Sequence, residues 1–315
     1  MRAHGRQKAL AVVALALVGW ACVSPSDPYW PTRAYSVERQ IPLEDAGPWL
    51  EEGRRIGWLD GVNHYFFSLP TKALLWNWQA LDHRLPEESA TLLRQYVDMN
   101  GLETVKVRFS QYDPIGEFRR LRRNRNIGAG YRYTMGLLSW TFYTVFPGRL
   151  FAGFPIIGLG DHFNPFTNTI HVYSSDATIL LHEGGHAKDY LGTRRRGTGF
   201  ALPRMIPGMD LVQEAWASDD AIHFLQCVDD SEQETRAYST LYPAYSTYVA
   251  GYVPGGLLLT LPIVFTGHVV GRIQSGARAG QIEEDAYLAE RAGVEWPRQD
   301  PRTPWCGPVD GHGYP

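Results

Sequence analysis

The sequence predicts an α+β fold: a small mixed sheet, a helix carrying two histidines, a later helix carrying a glutamate, and apolar helical segments that associate with a membrane. Three observations predict it. Residues 103–110 (ETVKVRFS) and 168–173 (NTIHVY) alternate apolar and polar side chains as strands do. Residues 174–192 and 210–228 carry helix start signals and helical spacing. Two uncharged stretches, 133–148 and 237–271, flank the first of these helices.

That helix, SSDATILLHEGGHAKDYLG, holds His182-Glu183-Gly184-Gly185-His186, an H-E-x-x-H pattern. Residues four apart share a helix face, so His182 and His186 can offer ring nitrogens to one metal ion. Glu183 is turned about 100° away, where a carboxylate can take a proton from water. By chance the pattern is expected only about once or twice in a hundred chains of this length and composition, so it is worth pursuing. Ser175 or Asp176 can cap the helix, Ile179, Leu180 and Leu181 can be buried, and Gly192 suits its end. Gly184 and Gly185 each cost roughly 1 kcal/mol relative to alanine. A helix accepts that where another chain segment must come close.

Catalytic zinc takes three protein ligands and one water. Asp210-Leu211-Val212-Gln213 resembles a capping box, and Glu214 follows in the first turn beside small residues Ala217, Ser218 and Ala221. Glu214 is the expected third ligand, with Asp189, Asp219 and His223 as rivals. Asp189, one turn after His186, suits hydrogen bonding to a ligand better than direct coordination. His162 and His171 are expected at the surface or behind the ligands. Residues 168–173 are expected to form the sheet edge along which a peptide lies.

The composition excludes some classes. A chain of 315 residues with net charge −3 can bury a full core and has no nucleic-acid signature. Its ten tryptophans exceed what a core needs and point to an interface. Basic charge is local, at 119–125 and 194–196, and there is no internal repeat.

Arg2, Arg6 and Lys8 precede the apolar run 9–21, the length of a signal-peptide core. The run ends at Gly19-Trp20-Ala21-Cys22, which resembles a bacterial lipobox, so Cys22 is the expected lipidation site. Ordinary cleavage or an uncleaved anchor are the rivals, and each places the chain outside the cytoplasm. Cys227 and Cys306 are then free to pair. Helices are expected at 71–82 and 87–99, the second closed by Asn100-Gly101. Residues 248–271 are long enough to cross a bilayer, but Pro254-Gly255-Gly256 and Pro262 interrupt them, so a hairpin or re-entrant segment competes with a straight span, and a pair of buried core helices is the alternative to membrane contact. The arginines at 119–125 suit anionic lipid beside a shallowly inserted stretch.

His182, Glu183, His186 and a glutamate on a later helix resemble the gluzincin branch of zinc metallopeptidases. The order of elements, with apolar segments around it, is similar to the membrane-associated branch containing CAAX-type and heat-shock integral-membrane peptidases. The resemblance implies a zincin-like core, Zn2+ held by His182, His186 and Glu214, and Glu183 as general base. It covers roughly 103–230 and is specific at the H-E-x-x-H. Where that family carries an aspartate four residues after its glutamate, this chain has Ser218, with Asp219 one place late.

The chain accordingly divides into an export segment (1–21), an N-terminal bracing region (23–102), a core (103–230) with an apolar insertion at 133–160, an apolar membrane-associated segment (231–275), and a helix with a Pro/Gly-rich tail (276–315). The expected protein is a metallopeptidase of the bacterial cell envelope whose partners are a peptide or protein substrate and membrane lipid, without nucleic acid or an organic cofactor. The oxyanion donor is one of Tyr238, Tyr242, Tyr245 or His268. A zinc hydrolase of lipid or cell-wall material, or an inactive envelope lipoprotein, are the other readings.

Overall fold

A computed structural model describes residues 48–154, 160–192 and 197–293 of the chain. The expected export segment, Cys22, the arginines at 194–196 and Cys306 lie outside them. The fold is mixed α+β, mostly helical, with one small sheet. The described residues fall into two compact units, 48–206 and 207–293.

The first unit holds the sheet. Its strands are β1 (Leu50–Glu52), β2 (Lys106–Phe109), β3 (His162–Asn164) and β4 (Thr169–Val172), in the order β1-β2-β4-β3. β1, β2 and β4 are parallel, with Val107 opposite Ile170, and β3 returns antiparallel to β4. The alternation at 103–110 places Val105, Val107 and Phe109 in the core as expected. Lys106 and Arg108 are buried as well. Both sheet faces are covered, so the polar residues of β2 meet partners instead of water.

The expectation for 168–173 needs correction. β4 lies inside the sheet between β2 and β3, not at its edge. The turn through Asn164-Pro165, held by the Phe166 amide donating to Asn164 Oδ1 at 3.0 Å, folds β3 back along β4's outer side.

Helices α1 (Gly57–Val62), α2 (Leu69–Leu75), α3 (Glu87–Met99), α4 (Pro114–Arg123), α5 (Leu137–Val145), α6 (Gly148–Phe151), α7 (Ala177–Gly192) and α8 (Thr198–Ala201) complete this unit. A π-helical turn, Asn63–Phe67, follows α1. α3 has the expected limits. The helix expected at 71–82 stops at Leu75, because Trp76 turns into the left-handed region at φ 49°. Beyond it, Asn77 Nδ2 donates to Asp176 Oδ2 at 2.7 Å and the Leu81 amide donates to Ser174 Oγ at 2.8 Å. Those bonds tie the segment to the start of α7 and outweigh its helix propensity. In the 133–160 insertion, α5 continues without a break from a helical turn, Ala129–Tyr131, and a π-helical turn, Arg132–Gly136, and this helical run ends before Phe146-Pro147.

The second unit contains α9 (Met209–Cys227), α10 (Ser231–Gly251) and α11 (Leu257–Ala292). Asp230 caps α10, its Oδ1 accepting the Gln233 amide at 3.0 Å. Residues 252–256 form the turn of a hairpin, as the Pro-Gly-Gly sequence allows. α11 then runs through Pro262 without a break to Ala292. A Cβ on Gly267 would lie 2.0 Å from Ser246 Oγ, and one on Gly271 2.4 Å from the Tyr238 carbonyl oxygen. These two glycines let the helices touch backbone to backbone. Beyond them, Arg278 Nε and Glu234 Oε1 pair at 2.6 Å. Among the described residues, α11 is the one helix long and apolar enough to cross a membrane.

Candidate metal centre

α7 forms where its caps and apolar residues place it. Asp176 Oδ1 accepts the Thr178 amide at 3.0 Å and the Thr178 hydroxyl at 2.8 Å, which satisfies the first turn. Leu180 and Leu181 are buried, and Val107, Phe109 and Val172 of the sheet line one small cavity with Leu93 and Leu180. This packing fixes how the helix is rotated about its axis. The His182 and His186 rings then lie 4.7 Å apart at 83°. His186 and Glu183 are buried, and His182 is half-buried.

Gly184 has a specific neighbour. A Cβ there would lie 2.6 Å from Tyr96 Cε1, and Tyr96 is fully buried on α3. The glycine lets the metal helix seat on an aromatic ring of its own unit. Gly184→Ala is expected to cost about 1–3 kcal/mol by overpacking, read as a thermal midpoint several degrees lower.

Glu214 is buried on α9. One ligand atom from each of His182, His186 and Glu214 comes together, all within 4.8 Å of one another. Two imidazoles and a carboxylate suit zinc and other divalent first-row metals. Asp189, Asp219 and His223 are outside this group among the described residues. His223 Nε2 lies 3.6 Å from Cys227 Sγ, one turn along the same helix.

The four candidate oxyanion donors stand in different surroundings. Burial pushes the Tyr245 phenol up to about 12, and the carboxylates of Glu214 and Asp210 add to that shift. Tyr238 and Tyr242 are also raised, first by burial; Glu234 ranks next for Tyr238 and Asp219 for Tyr242. His268 Nδ1 lies 2.8 Å from Arg272 Nη1. Of the three tyrosines, Tyr245 is the one whose phenol is raised by the Glu214 carboxylate.

His162 and His171 stack across β3 and β4 at 4.8 Å, and neither belongs to the metal group. His171 is fully buried instead of lying at the surface. Its Nε2 is 3.4 Å from Glu117 Oε2, and Glu117 Oε1 is 3.0 Å from Arg108 Nη1. This buried ionic cluster was not anticipated, because its members lie on two strands and a helix with no motif connecting them.

No family model, curated protein or solved structure matches the chain. Its function therefore rests on the site itself.

Proposed function

We propose that the chain is a membrane-associated zinc metallopeptidase with a zincin-like core, exported to the bacterial cell envelope and lipid-anchored at Cys22. The observation that carries this reading is the meeting of His182, His186 and Glu214 within 4.8 Å. In support, Glu183 follows His182 on the same helix and is buried, which suits a carboxylate that moves protons at a partly desolvated centre. When bound, zinc would polarise the scissile carbonyl and acidify water. Glu183 takes a proton from the attacking water and passes it to the leaving amine. His182, His186 and Glu214 hold the metal, and α11 keeps the chain at the membrane.

The test is metal content of full-length, detergent-purified protein. One zinc per chain is expected in the wild type, and its loss is expected in both His186→Ala and Glu214→Ala. Zinc retained by Glu214→Ala would remove that residue from the ligand set. No zinc in folded wild-type protein would sink the whole reading.

A further inference from the structure

The first unit carries an exposed apolar surface that the metal centre does not use. Trp58, Tyr65, Phe66, Trp76 and Trp78 are each more than half exposed, all within a stretch of chain close to α1 and α2. Ile56, Val62 and Leu69 are exposed beside them. At ~200 Å² per aromatic residue, these five rings alone present roughly 600 Å². A soluble monomer rarely exposes a contiguous apolar patch larger than a few hundred Å².

The surface is held rigid from beneath. Asp60 takes both Nε and Nη2 of Arg149, at 2.7 and 2.8 Å. Asn63 Nδ2 donates to the Leu150 and Ala152 carbonyls at 2.8 and 2.9 Å. Lys72 is buried and donates to Ser68 Oγ and the Leu81 carbonyl at 2.9 and 3.1 Å. With the polar groups turned inwards, the outward face is left to aromatic and aliphatic side chains.

It extends to α5 through a continuous line of rings. Phe66 meets Phe67 at 5.1 Å, Phe67 meets Phe151 at 5.6 Å, Phe151 meets Phe146 at 6.0 Å, and Phe146 meets Phe142 at 4.9 Å. Phe142 is exposed, as are Leu138 and Val145 on the same helix. Charge is predominantly basic. Between residues 52 and 81 the exposed ionic side chains are Glu52, Arg54 and Arg55, and no acidic residue occurs between Glu117 and Asp161. On α4, against which α5 packs through Trp140 Nε1 donating to the Pro114 carbonyl at 2.7 Å, Arg119 and Arg122 are exposed.

We infer that the exposed faces of α1, α2 and α5 form a docking surface for a bilayer with anionic headgroups, its rings seated at the headgroup–acyl boundary. Tryptophan and tyrosine favour that depth, and exposed arginines that outnumber the one exposed acid beside them, Glu52, suit anionic lipid. This deepens the membrane-associated reading above but stands on different residues from α11.

Photocrosslinking in the full-length protein tests it. Phe66, Phe142, Leu258 on α11 and Gln95 on α3 are replaced one at a time by p-benzoylphenylalanine. Each protein is reconstituted in phosphatidylcholine–phosphatidylglycerol vesicles and irradiated. Lipid adducts at 66 and 142 are expected about tenfold above those at 95, since a ring at the acyl boundary meets lipid C–H bonds continuously. Adducts at 258 but not at 66 or 142 would overturn the inference and leave α11's membrane role intact; adducts at none of the three would overturn both. Crosslinks at 66 or 142 to a second copy, or to residues 1–47 of the same chain, would also overturn it by naming another occupant.

Discussion

Glu183→Gln is expected to keep one zinc per chain and to lower peptide hydrolysis about 10²–10⁴-fold, the usual contribution of a general base. Glutamine has nearly the same shape and leaves His182, His186 and Glu214 untouched, so folding and metal content should survive. It cannot accept the proton that the attacking water must lose. Glu183→Asp withdraws the carboxylate by about one methylene and should retain part of the activity, because positioning errors of about 1 Å are costly but not absolute. The measurements are zinc stoichiometry and turnover on a panel of unstructured protein, short peptides and phospholipid. Wild-type turnover by Glu183→Gln would remove Glu183 from its role. Glutamate-dependent turnover on phospholipid alone would make the chain a zinc hydrolase of lipid. Zinc bound without turnover by the wild type on any substrate in the panel would favour a structural site.

The helix α7 was the most legible part of the chain, because its information is local. Asp176, the apolar run and the four-residue histidine spacing lie within one segment, and the caps act where the sequence places them. The helix carrying Glu214 could be read as well, though not for the reason expected: it starts at Met209 on Gly208 without a side-chain cap, and Asp210 Oδ1 accepts the Tyr252 hydroxyl instead of capping the helix. The sheet was harder. Its order depends on pairings between residues far apart in sequence, and a strand such as 168–173 looks the same whether a neighbour covers one side or both. The burial of Lys106 and Arg108 was hidden for the same reason: alternation reports two faces and not what covers the second. The helix expected at 71–82 failed where hydrogen bonds to Ser174 and Asp176, about ninety residues away, redirected the chain. Trp58, Trp76 and Trp78 were visible only as composition, since outward and inward tryptophans read alike.

Removing one member of the cluster behind the sheet should be costly, because it leaves a buried charge without its partner. Glu117 is fully buried, and burial by itself would push its carboxyl up. The opposing charges of His171 and of the Arg108 guanidinium outweigh that effect and hold the carboxyl down at about 2, against an ordinary 4.5. Arg108 also meets Glu51 Oε2 at 3.0 Å and Asp113 Oδ2 at 3.1 Å, so it keeps partners if Glu117 is lost. Glu117→Gln is therefore expected to cost about 3 kcal/mol, at the lower end for breaking a buried ion pair. The pH dependence follows from the direction of the shift. A carboxyl held low in the folded state contributes fully above its unfolded value near 4.5, and its contribution fades as the pH falls through about 2. Denaturant midpoints of wild type and Glu117→Gln should thus differ most near neutrality and converge as the pH drops from about 4.5 towards 2. A gap that stayed constant across that range would assign the loss to packing and not to charge. The double variant Arg108→Met, Glu117→Leu should recover at least about half of the loss, because it removes both desolvated charges together. A double variant as unstable as the sum of its single changes would mean that the two side chains act independently, against the 3.0 Å pairing between them.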